Sequence, residues 1–321
     1  MIRSHDESRK SRRSLIALLA IALLVTASCS GNGDDDVTTG STTTSARATT
    51  TTTEPDPTTT PTTDAPTTTE PSTTAPTTIP AVDLETVNVY WLKDTGIAVG
   101  GREIDIDSGA AGAMAELLAG PNILETDLGM VSAVPAGTEV LGVFVDDGVA
   151  TIDLSNDFET TGLGTSGEIG LVSQVVFTLT QFPTVDSVDI TIDGEARDAI
   201  LSHGLEATGL TREGFHDAIA PEIVVESPYP GEVITSPIVV SGFSRTFEAS
   251  IVYSVIIPSG EIVHEGFTTA AQPDVHLFGP FEFVAEFEAG ISGFGSVIVW
   301  EESALDGSQI NTYEVPVRME P

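Results

Sequence analysis

The sequence predicts an α+β domain followed by an all-β sandwich, both placed after a long segment that has no core. Helical and strand-like apolar patterns are interleaved between residues 84 and 195, whereas only short apolar runs of strand length occur from residue 222 onward. Residues 38–80 contain 22 threonines and 7 prolines in 43 positions, with Ile79 as the only large aliphatic side chain. Such a segment cannot bury enough apolar surface to fold, so we expect a disordered N-terminal stalk.

Residues 1–28 have the order of an export signal. Four basic residues between positions 9 and 13 precede an unbroken apolar run at 15–25, and the small residues Thr26, Ala27 and Ser28 come directly before Cys29. The apolar run is too short for a permanent transmembrane helix. The segment resembles a bacterial lipoprotein signal, although Thr26 stands where that family more often has leucine. The resemblance implies cleavage between Ser28 and Cys29, a lipid such as palmitate on Cys29, and a mature chain anchored outside the cytoplasmic membrane.

The route of export stays open. Residues 11–16 resemble a twin-arginine signal, which carries proteins that are already folded. The adjacent Arg12 and Arg13 also fit an ordinary basic region at the start of a signal peptide.

The chain is strongly acidic, with 12 basic and 48 acidic residues and a formal net charge of −36. Nucleic acid is therefore excluded as a partner, because binding to phosphates depends on lysine and arginine. Anionic lipid head groups would also repel the chain, so the lipid at Cys29 would have to hold it at the membrane alone. Solubility, a salt-rich habitat and a cationic partner each explain the acidity. With one cysteine, the chain has no intramolecular disulfide and no thiolate metal site.

Residues 29–83 are expected to form a stalk between the lipid and the first domain. Prolines favour extended polyproline geometry at about 3.1 Å per residue, so the stalk would reach on the order of 150 Å if fully extended. The composition is typical both of an O-glycosylated stalk and of an unmodified spacer.

The predicted α+β domain, residues 84–195, opens with a strand at 87–92 and a short helix at 110–119, which Gly120-Pro121 would end. A hairpin of strands at 139–145 and 149–154 should turn at Asp147-Gly148, because this pair readily takes positive φ.

A longer helix and a strand complete this domain. The spacing of Thr165 and Glu168 predicts a capping box at the start of the helix, and Pro183 should end it. A half-buried strand is predicted at 188–192, and the order of elements indicates helices packed on one face of a sheet. The buried stripe of the helix is predicted to consist of Ile169, Val172, Val176 and Leu179.

Four motifs in this domain resemble those of the GerMN domain, which is named after a spore germination protein and occurs in envelope lipoproteins. The motifs keep the family's order, so the resemblance covers residues 84–195 as a whole. They are LLAGP at 117–121, SAVPAGT at 132–138, ATIDLS at 150–155 and VDITIDG at 188–194.

Residues 196–221 are predicted to be a packed connector, since a flexible linker would not carry large apolar side chains. The segment 211–215 is similar to an R-x-x-F pattern that often follows GerMN domains. Arg212 is one of few basic residues in an acidic chain, so we expect a carboxylate partner, which arginine can bind bidentately. The apolar side chains that need a packing site are Leu201, Leu205, Leu210, Phe215 and Ile219.

Residues 222–321 are predicted to form an immunoglobulin-like sandwich, because about seven short strands follow one another with turn residues between them. The motif ESPYPG at 226–231, with Ser236-Pro237 and 279–281, resembles Gmad2, an immunoglobulin-like domain often found beside GerMN. The predicted strands are 223–225, 237–240, 251–257, 261–264, 281–287, 296–300 and 312–317.

No residue is predicted to be catalytic, and no metal or cofactor is predicted. The serines at 166 and 292 lie in sequences that lack the spacing of a nucleophile elbow, and His203, His216, His264 and His276 are scattered without metal-ligand spacing. The alternating acids Glu103, Asp105 and Asp107 fit either a calcium site or, more simply, the solvent face of a strand.

The candidate ligand-binding residues are Tyr90, Trp91 and Arg212. The two aromatic rings could stack on a sugar or bind a partner, although a tryptophan in an apolar strand more often belongs to the core.

The sequence therefore predicts a cell-envelope lipoprotein that acts as a non-catalytic binding or scaffolding module. Its partners would be the membrane, through the lipid, and an envelope protein or cell-wall glycan. Two alternatives stay open: a cell-wall-active enzyme without a recognisable motif, and an accessory subunit of a membrane sensor kinase.

Overall fold

The computed structural model describes residues 83–94, 96–288 and 290–321, all of which belong to one compact unit. The predicted signal peptide, Ser28, Cys29 and the predicted stalk up to residue 82 lie outside these residues. No helix in the described part of the chain is both long and apolar enough to cross a bilayer. The predicted fold class is confirmed, with an α+β domain followed by an all-β sandwich of two sheets.

The first domain contains five of the strands and three helices. Its turn between the third and fourth strands has Asp147 at φ 46° and Gly148 at φ 83°, which confirms the predicted hairpin. The elements are β1 (Leu84–Lys93), β2 (Gly96–Asp105), α1 (Gly109–Ala119), α2 (Ile123–Asp127), β3 (Val140–Asp146), β4 (Val149–Leu154), α3 (Thr165–Leu179) and β5 (Ser187–Ile192). The segment that follows contains β6 (Glu195–Ala196), β7 (Ala199–Ile200), β8 (Leu205–Glu206) and α4 (Arg212–Ile219).

Helix α3 lies at the centre of the first domain. It connects the parallel strands β4 and β5, covers one face of the sheet β3-β4-β5-β6, and packs on its other side against the separate hairpin β1–β2. Every residue at 170–179 is buried, whereas Ile169 is only half-buried. The predicted stripe of four residues is therefore too narrow, because a pattern for one buried face cannot anticipate a second layer on the other side.

The predicted capping box at the start of α3 is wrong. Gly164 occupies the N-cap without a side-chain hydrogen bond, and the helix ends at Leu179, before Pro183. Glu168 is fully buried, and its carboxylate accepts hydrogen bonds from the backbone N–H groups of Ser202 and His203 at 3.1 and 3.0 Å. Burial alone would raise the pKa of Glu168, but the hydrogen bond from the Ser202 hydroxyl, together with the bonds from His203 and the Ser202 backbone, outweighs it and lowers that pKa to about 2.

Polar side chains of α3 and the turn after it bond to the free backbone edge of β1. Gln181 accepts from the N–H of Asn88 and donates to its carbonyl, both at 2.6 Å, and the Nε2 of Gln174 donates to the carbonyl of Tyr90 at 2.9 Å. Thr178 Oγ1 accepts from the N–H of Tyr90 at 3.3 Å. These side chains replace the partner strand that β1 lacks on this side.

The connector packs against both domains. Ile200, Ala207 and Leu210 join the core of the first domain, and the N–H and carbonyl of Leu210 pair with those of Val188 on β5. Further along, Ile219 of α4 enters the apolar cluster between the domains. The large apolar residues of this segment are thus part of the folded structure.

The second domain is a sandwich of a three-stranded sheet, β14-β11-β9, and a five-stranded sheet, β10-β16-β15-β12-β13. Its core lies between the sheets and consists mainly of valine, isoleucine and phenylalanine. The short strand β10 was not predicted. The strands are β9 (Ile223–Ser227), β10 (Val233–Ile234), β11 (Ile238–Ser244), β12 (Ser250–Ile256), β13 (Ile262–Thr269), β14 (Gly279–Ala285), β15 (Gly293–Glu302) and β16 (Gln309–Met319).

Candidate functional site

The two domains meet at the outer face of the three-stranded sheet. Side chains alternate along β9, so Ile223 and Val225 enter the sandwich core while Val224 faces the first domain. Val224 is the register partner of Phe243 on β11. An apolar cluster, which we call the junction cluster, links the two domains and consists of Tyr90, Ile97, Val99, Phe177, Ile219, Val224 and Phe243.

Arg212 joins four elements at the rim of this cluster. Its Nη1 donates to Glu226 Oε1 of β9 at 2.8 Å, its Nη2 to the hydroxyl of Tyr90 at 2.9 Å, and its Nε to Thr180 Oγ1 at 2.9 Å. Nη2 also donates to the carbonyl of Phe177 at 3.1 Å. The expected carboxylate partner is thus Glu226, but the pairing is not bidentate, because the guanidinium divides its donors between both domains.

The surroundings of Arg212 keep it charged. Burial disfavours the guanidinium, but the hydroxyl of Tyr90 and the carboxylate of Glu226 outweigh it and raise the pKa of Arg212. Burial, together with the carboxylate of Glu226, raises the pKa of Tyr90 well above its ordinary value. The hydroxyl therefore stays protonated and donates a hydrogen bond to Glu226. The guanidinium also lies 5.1 Å from the ring centres of Tyr90 and Phe177, which adds cation–π attraction.

Tyr90 and Trp91 are both fully buried, so neither ring is presented to a ligand. Tyr90 belongs to the junction cluster, and Trp91 belongs to the core of the first domain. Because β1 alternates between its two faces, adjacent aromatic residues enter two different apolar clusters. We therefore assign Tyr90 to holding the domains together and Trp91 to the core.

His216 lies among three phenylalanines at the same junction. Its ring centre is 4.4 Å from that of Phe278 and 5.4 Å from that of Phe243, and its Nε2 is buried without a hydrogen-bond partner among the described residues. Burial lowers the pKa of His216 to about 4, and the neighbouring Arg212 and Arg245 add to this effect. The imidazole is consequently neutral at physiological pH.

Arg245 closes the side of the junction nearest the connector. It bonds to Asp217 of α4 and, at 3.1 Å, to Glu222 just before β9, and its guanidinium lies 4.7 Å from the ring centre of Phe278. The end of the connector is thus fixed to the second domain by charge as well as by packing.

A second contact joins β2 to the loop after β9. A Cβ added to Gly101 would lie 2.2–2.4 Å from ring atoms of Tyr229, and one added to Gly231 would lie 2.6 Å from Leu124. Only residues without a side chain allow these approaches. Tyr229 and Gly231 belong to the ESPYPG motif, so that motif forms part of the junction.

A buried ion pair supports the surface on which Tyr229 rests. Arg102 of β2 forms two hydrogen bonds with Glu125 of α2, Nη1 to Oε1 at 2.8 Å and Nη2 to Oε2 at 2.7 Å. Glu125 also forms a capping box with Asn122. This bidentate pair fixes α2 against the hairpin.

A cleft of about 490 Å³ opens beside the junction. One wall is the tip of the β1–β2 hairpin with Leu128 and Met130, and the other is β16 with Tyr313 and Glu314. Burial raises the pKa of Tyr313 to about 12, so its hydroxyl stays neutral beside the cleft.

The described residues contain no group of three or more histidine, cysteine, aspartate or glutamate side chains that could hold a metal ion. Glu103, Asp105 and Asp107 are all exposed, and the carboxylate of Asp105 accepts the N–H of Asp107 at 2.9 Å, which caps a short 3-10 turn. The carboxylate of Asp105 therefore has a local structural role.

The sequence does not mark most partners of Arg212. Glu226 is the first residue of the ESPYPG motif, and Phe177 is one of many apolar residues in its helix. His216 lacks metal-ligand spacing, so nothing in the sequence indicates its place in the junction. Contacts between distant segments bring these residues together, and no local pattern marks such contacts.

Two family models match the chain. Residues 88–198 match Germane, described as sporulation and spore germination, and residues 222–308 match Gmad2, described as an immunoglobulin-like domain of bacterial spore germination. The chain carries a Germane domain followed by a Gmad2 domain. Both resemblances seen in the sequence are thereby confirmed, and the Arg212 junction is the contact of the Germane domain and its connector with the Gmad2 domain.

The chain also matches solved structures of other proteins. The first GerMN domain of the sporulation protein GerM from Bacillus subtilis is 25% identical, with 40% of this chain and 98% of that chain covered and a TM-score of 0.32. The tandem GerMN domains of the same protein are 17% identical over 64% and 62% of the two chains, with a TM-score of 0.35. A putative lipoprotein from Clostridium perfringens is 18% identical over 40% and 90%, with a TM-score of 0.29. No curated protein matches the chain.

Proposed function

We propose that this protein is a cell-envelope lipoprotein in which the Germane and Gmad2 domains act as one rigid, non-catalytic scaffold outside the cytoplasmic membrane. The observation that carries the proposal is the shared guanidinium of Arg212, which bonds to Tyr90 of the Germane domain and to Glu226 of the Gmad2 domain. A scaffold has to hold its binding surfaces in a fixed relation, and a polar network across a domain junction provides this.

The signal segment supports the location. The small residues before Cys29 and the absence of any other cysteine favour a lipid anchor, and the Thr/Pro-rich stalk would hold the domains away from the membrane. The description of Germane names sporulation and spore germination, and that of Gmad2 names bacterial spore germination; both agree with a task in the cell envelope.

The first test concerns the anchor. Cys29→Ala should abolish labelling of the protein by a radioactive fatty acid and should move the protein from the detergent phase to the aqueous phase. Cys29→Ser is a second variant with a smaller change in side-chain volume and should behave in the same way. Unchanged labelling and partitioning of either variant would contradict the proposed location.

The second test concerns the absence of catalysis. The purified chain should leave peptidoglycan and simple ester substrates intact over hours. Turnover that increases with protein concentration and persists through successive purification steps would overturn the scaffold assignment in favour of an enzyme.

A further inference from the structure

The cleft beside the junction has the size and position of a ligand site. Its volume of about 490 Å³ lies within the range of roughly 300–1,000 Å³ that is typical of binding pockets, and such pockets occur preferentially between domains. Residues from the Germane domain, the connector and the Gmad2 domain all line it.

The Germane wall is a closed apolar surface. Ile97 and Ala98 of β2 line the cleft but are each only 2% exposed, so β2 offers no accessible strand edge here.

The Gmad2 wall presents an open strand edge. The carbonyl of Pro316 accepts the N–H of Gly231 at 2.8 Å, and the N–H of Arg318 donates to the carbonyl of Glu232 at 2.8 Å, so both residues turn their backbone groups away from β15. Glu314 precedes Pro316 by two residues and has the same orientation. Its N–H and carbonyl have no backbone partner in the described ranges.

Beside this edge lie an apolar floor and an acidic rim. The rim carries the carboxylates of Asp94, Asp217 and Glu314 and the ammonium group of Lys93, and Asp217 is already paired with Arg245. The carboxylates outnumber the cation, and the chain as a whole has a net charge of −36. The apolar floor consists mainly of Ile97, Ala98, Leu128, Met130, Ile219, Pro221 and Pro230.

We propose that this cleft binds an extended, positively charged peptide segment of a partner protein, which pairs through its backbone with the strand edge at Glu314 and rests its other side on the apolar Germane wall. Backbone pairing to an exposed strand edge gives affinity without demanding one side-chain sequence, and flanking charges select the segment. Basic side chains would reach the carboxylates of the rim, while small apolar side chains would rest on the floor. This inference names the partner class of the proposed scaffold and rests on that function.

The test uses the full-length chain in detergent and a fluorescein-labelled peptide of alternating valine and lysine. Fluorescence anisotropy should show saturable binding that weakens as salt is added. The same peptide with glutamate in place of lysine should not bind. A peptide that is N-methylated at alternate valines lacks the N–H donors of those residues. Its affinity should be lower by about tenfold or more.

Two pairs of variants locate the site. Ala218→Trp fills the cleft and should weaken binding by about tenfold or more, whereas Ala115→Trp, at an equally exposed helical alanine on the Germane domain, should have no effect. Glu314→Lys should weaken binding of the lysine peptide, and Glu261→Lys, elsewhere on the Gmad2 surface, should change it much less. Circular dichroism and thermal unfolding check that each variant is folded.

Three results would overturn the inference. The lysine peptide shows no saturable binding, the N-methylated peptide binds as tightly as the unmodified one, or Ala218→Trp and Ala115→Trp change the affinity to the same extent. Binding of argininamide as tight as that of the peptide would show a small-ligand site instead of a strand site. Failure here leaves the Cys29 and peptidoglycan results unchanged, so it is distinguishable from failure of the proposed function.

Discussion

At the residue scale, Arg212 divides its donors among four acceptors on β1, α3, the turn after α3 and β9. Its side chain is 21% exposed and that of Glu226 is 23% exposed. A guanidinium with this many partners cannot be replaced by an ammonium group, which lacks the planar fork.

Replacing Arg212 should therefore weaken the whole junction. Arg212→Ala leaves the partly buried carboxylate of Glu226 and the fully buried hydroxyl of Tyr90 without their cation, so the free energy of unfolding should fall by roughly 2–5 kcal/mol. Arg318→Ala is the matched control, because its pair with Glu320 is 56% and 46% exposed, and it should cost less than about 1 kcal/mol. Urea unfolding measures the free energy of unfolding of both variants. Equal decreases in that free energy would show that the Arg212 network stabilises the chain no more than an exposed ion pair does.

His216 should make the junction sensitive to acid. Its pKa in the folded chain, about 4, lies below the ordinary value of 6.5, so the contribution of the neutral ring is complete above pH 6.5 and is lost as the pH falls toward 4. Arg212 and Arg245 oppose the protonated ring, while Asp217 and Glu226 favour it.

Between pH 6.5 and 4, the free energy of unfolding of the natural chain should fall more steeply than that of His216→Phe, whose ring fits among the neighbouring phenylalanines and does not titrate. His276→Gln, which changes an exposed histidine, should keep the natural slope. Urea unfolding at a series of pH values measures the three slopes. Identical slopes for the natural chain and His216→Phe would contradict this account of the ring.

The sequence could single out Arg212, because a rare cation in an acidic chain needs a carboxylate and the R-x-x-F pattern marks its position. It could not show that Tyr90 and Trp91 are buried in different clusters. Two adjacent aromatic residues in a strand look alike until the layers on each side of that strand are known.

Helix α3 has two structural roles. Its apolar residues fill the core under the main sheet, and Gln174, Thr178 and the following Gln181 complete the hydrogen bonds of β1. The apolar periodicity of the helix predicts the core packing. The hydrogen bonds to β1 are not predictable from the sequence, since glutamine and threonine in a helix usually face solvent, whereas here the hairpin β1–β2 covers them.

Gln181→Ala tests the hydrogen bonding of this segment to β1. It leaves the N–H and carbonyl of Asn88 without partners at a half-buried position, so the free energy of unfolding should fall by roughly 1–3 kcal/mol. Gln309→Ala, at an exposed position on β16, should change it by less than about 0.5 kcal/mol. Hydrogen exchange of the Asn88 amide should also become faster in Gln181→Ala. An unchanged exchange rate would show that water replaces the glutamine at no cost.

At the scale of the whole molecule, the Germane and Gmad2 domains share a cluster, a polar network and a close backbone approach. The order of the domains was predictable from motifs in sequence order, and the sandwich from the spacing of its short strands. The junction was not, because Gly101 and Tyr229 lie far apart in the chain and neither stands in a pattern that marks their contact. We infer that this junction makes the two domains one rigid unit.

Limited trypsin digestion of the full-length chain under native conditions tests this claim most directly. The connector offers trypsin Arg197 and Arg212, whose side chains are held by Glu159 and Glu226. We expect slow cleavage after Arg212 in the natural chain and in Gly142→Ala, where an added Cβ meets nothing within 4 Å. In Gly101→Ala, where the added methyl group forces Tyr229 aside, cleavage after Arg212 should be faster than in the natural chain. Rapid cleavage of the natural chain after Arg212, with release of two fragments that melt independently, would contradict a rigid unit.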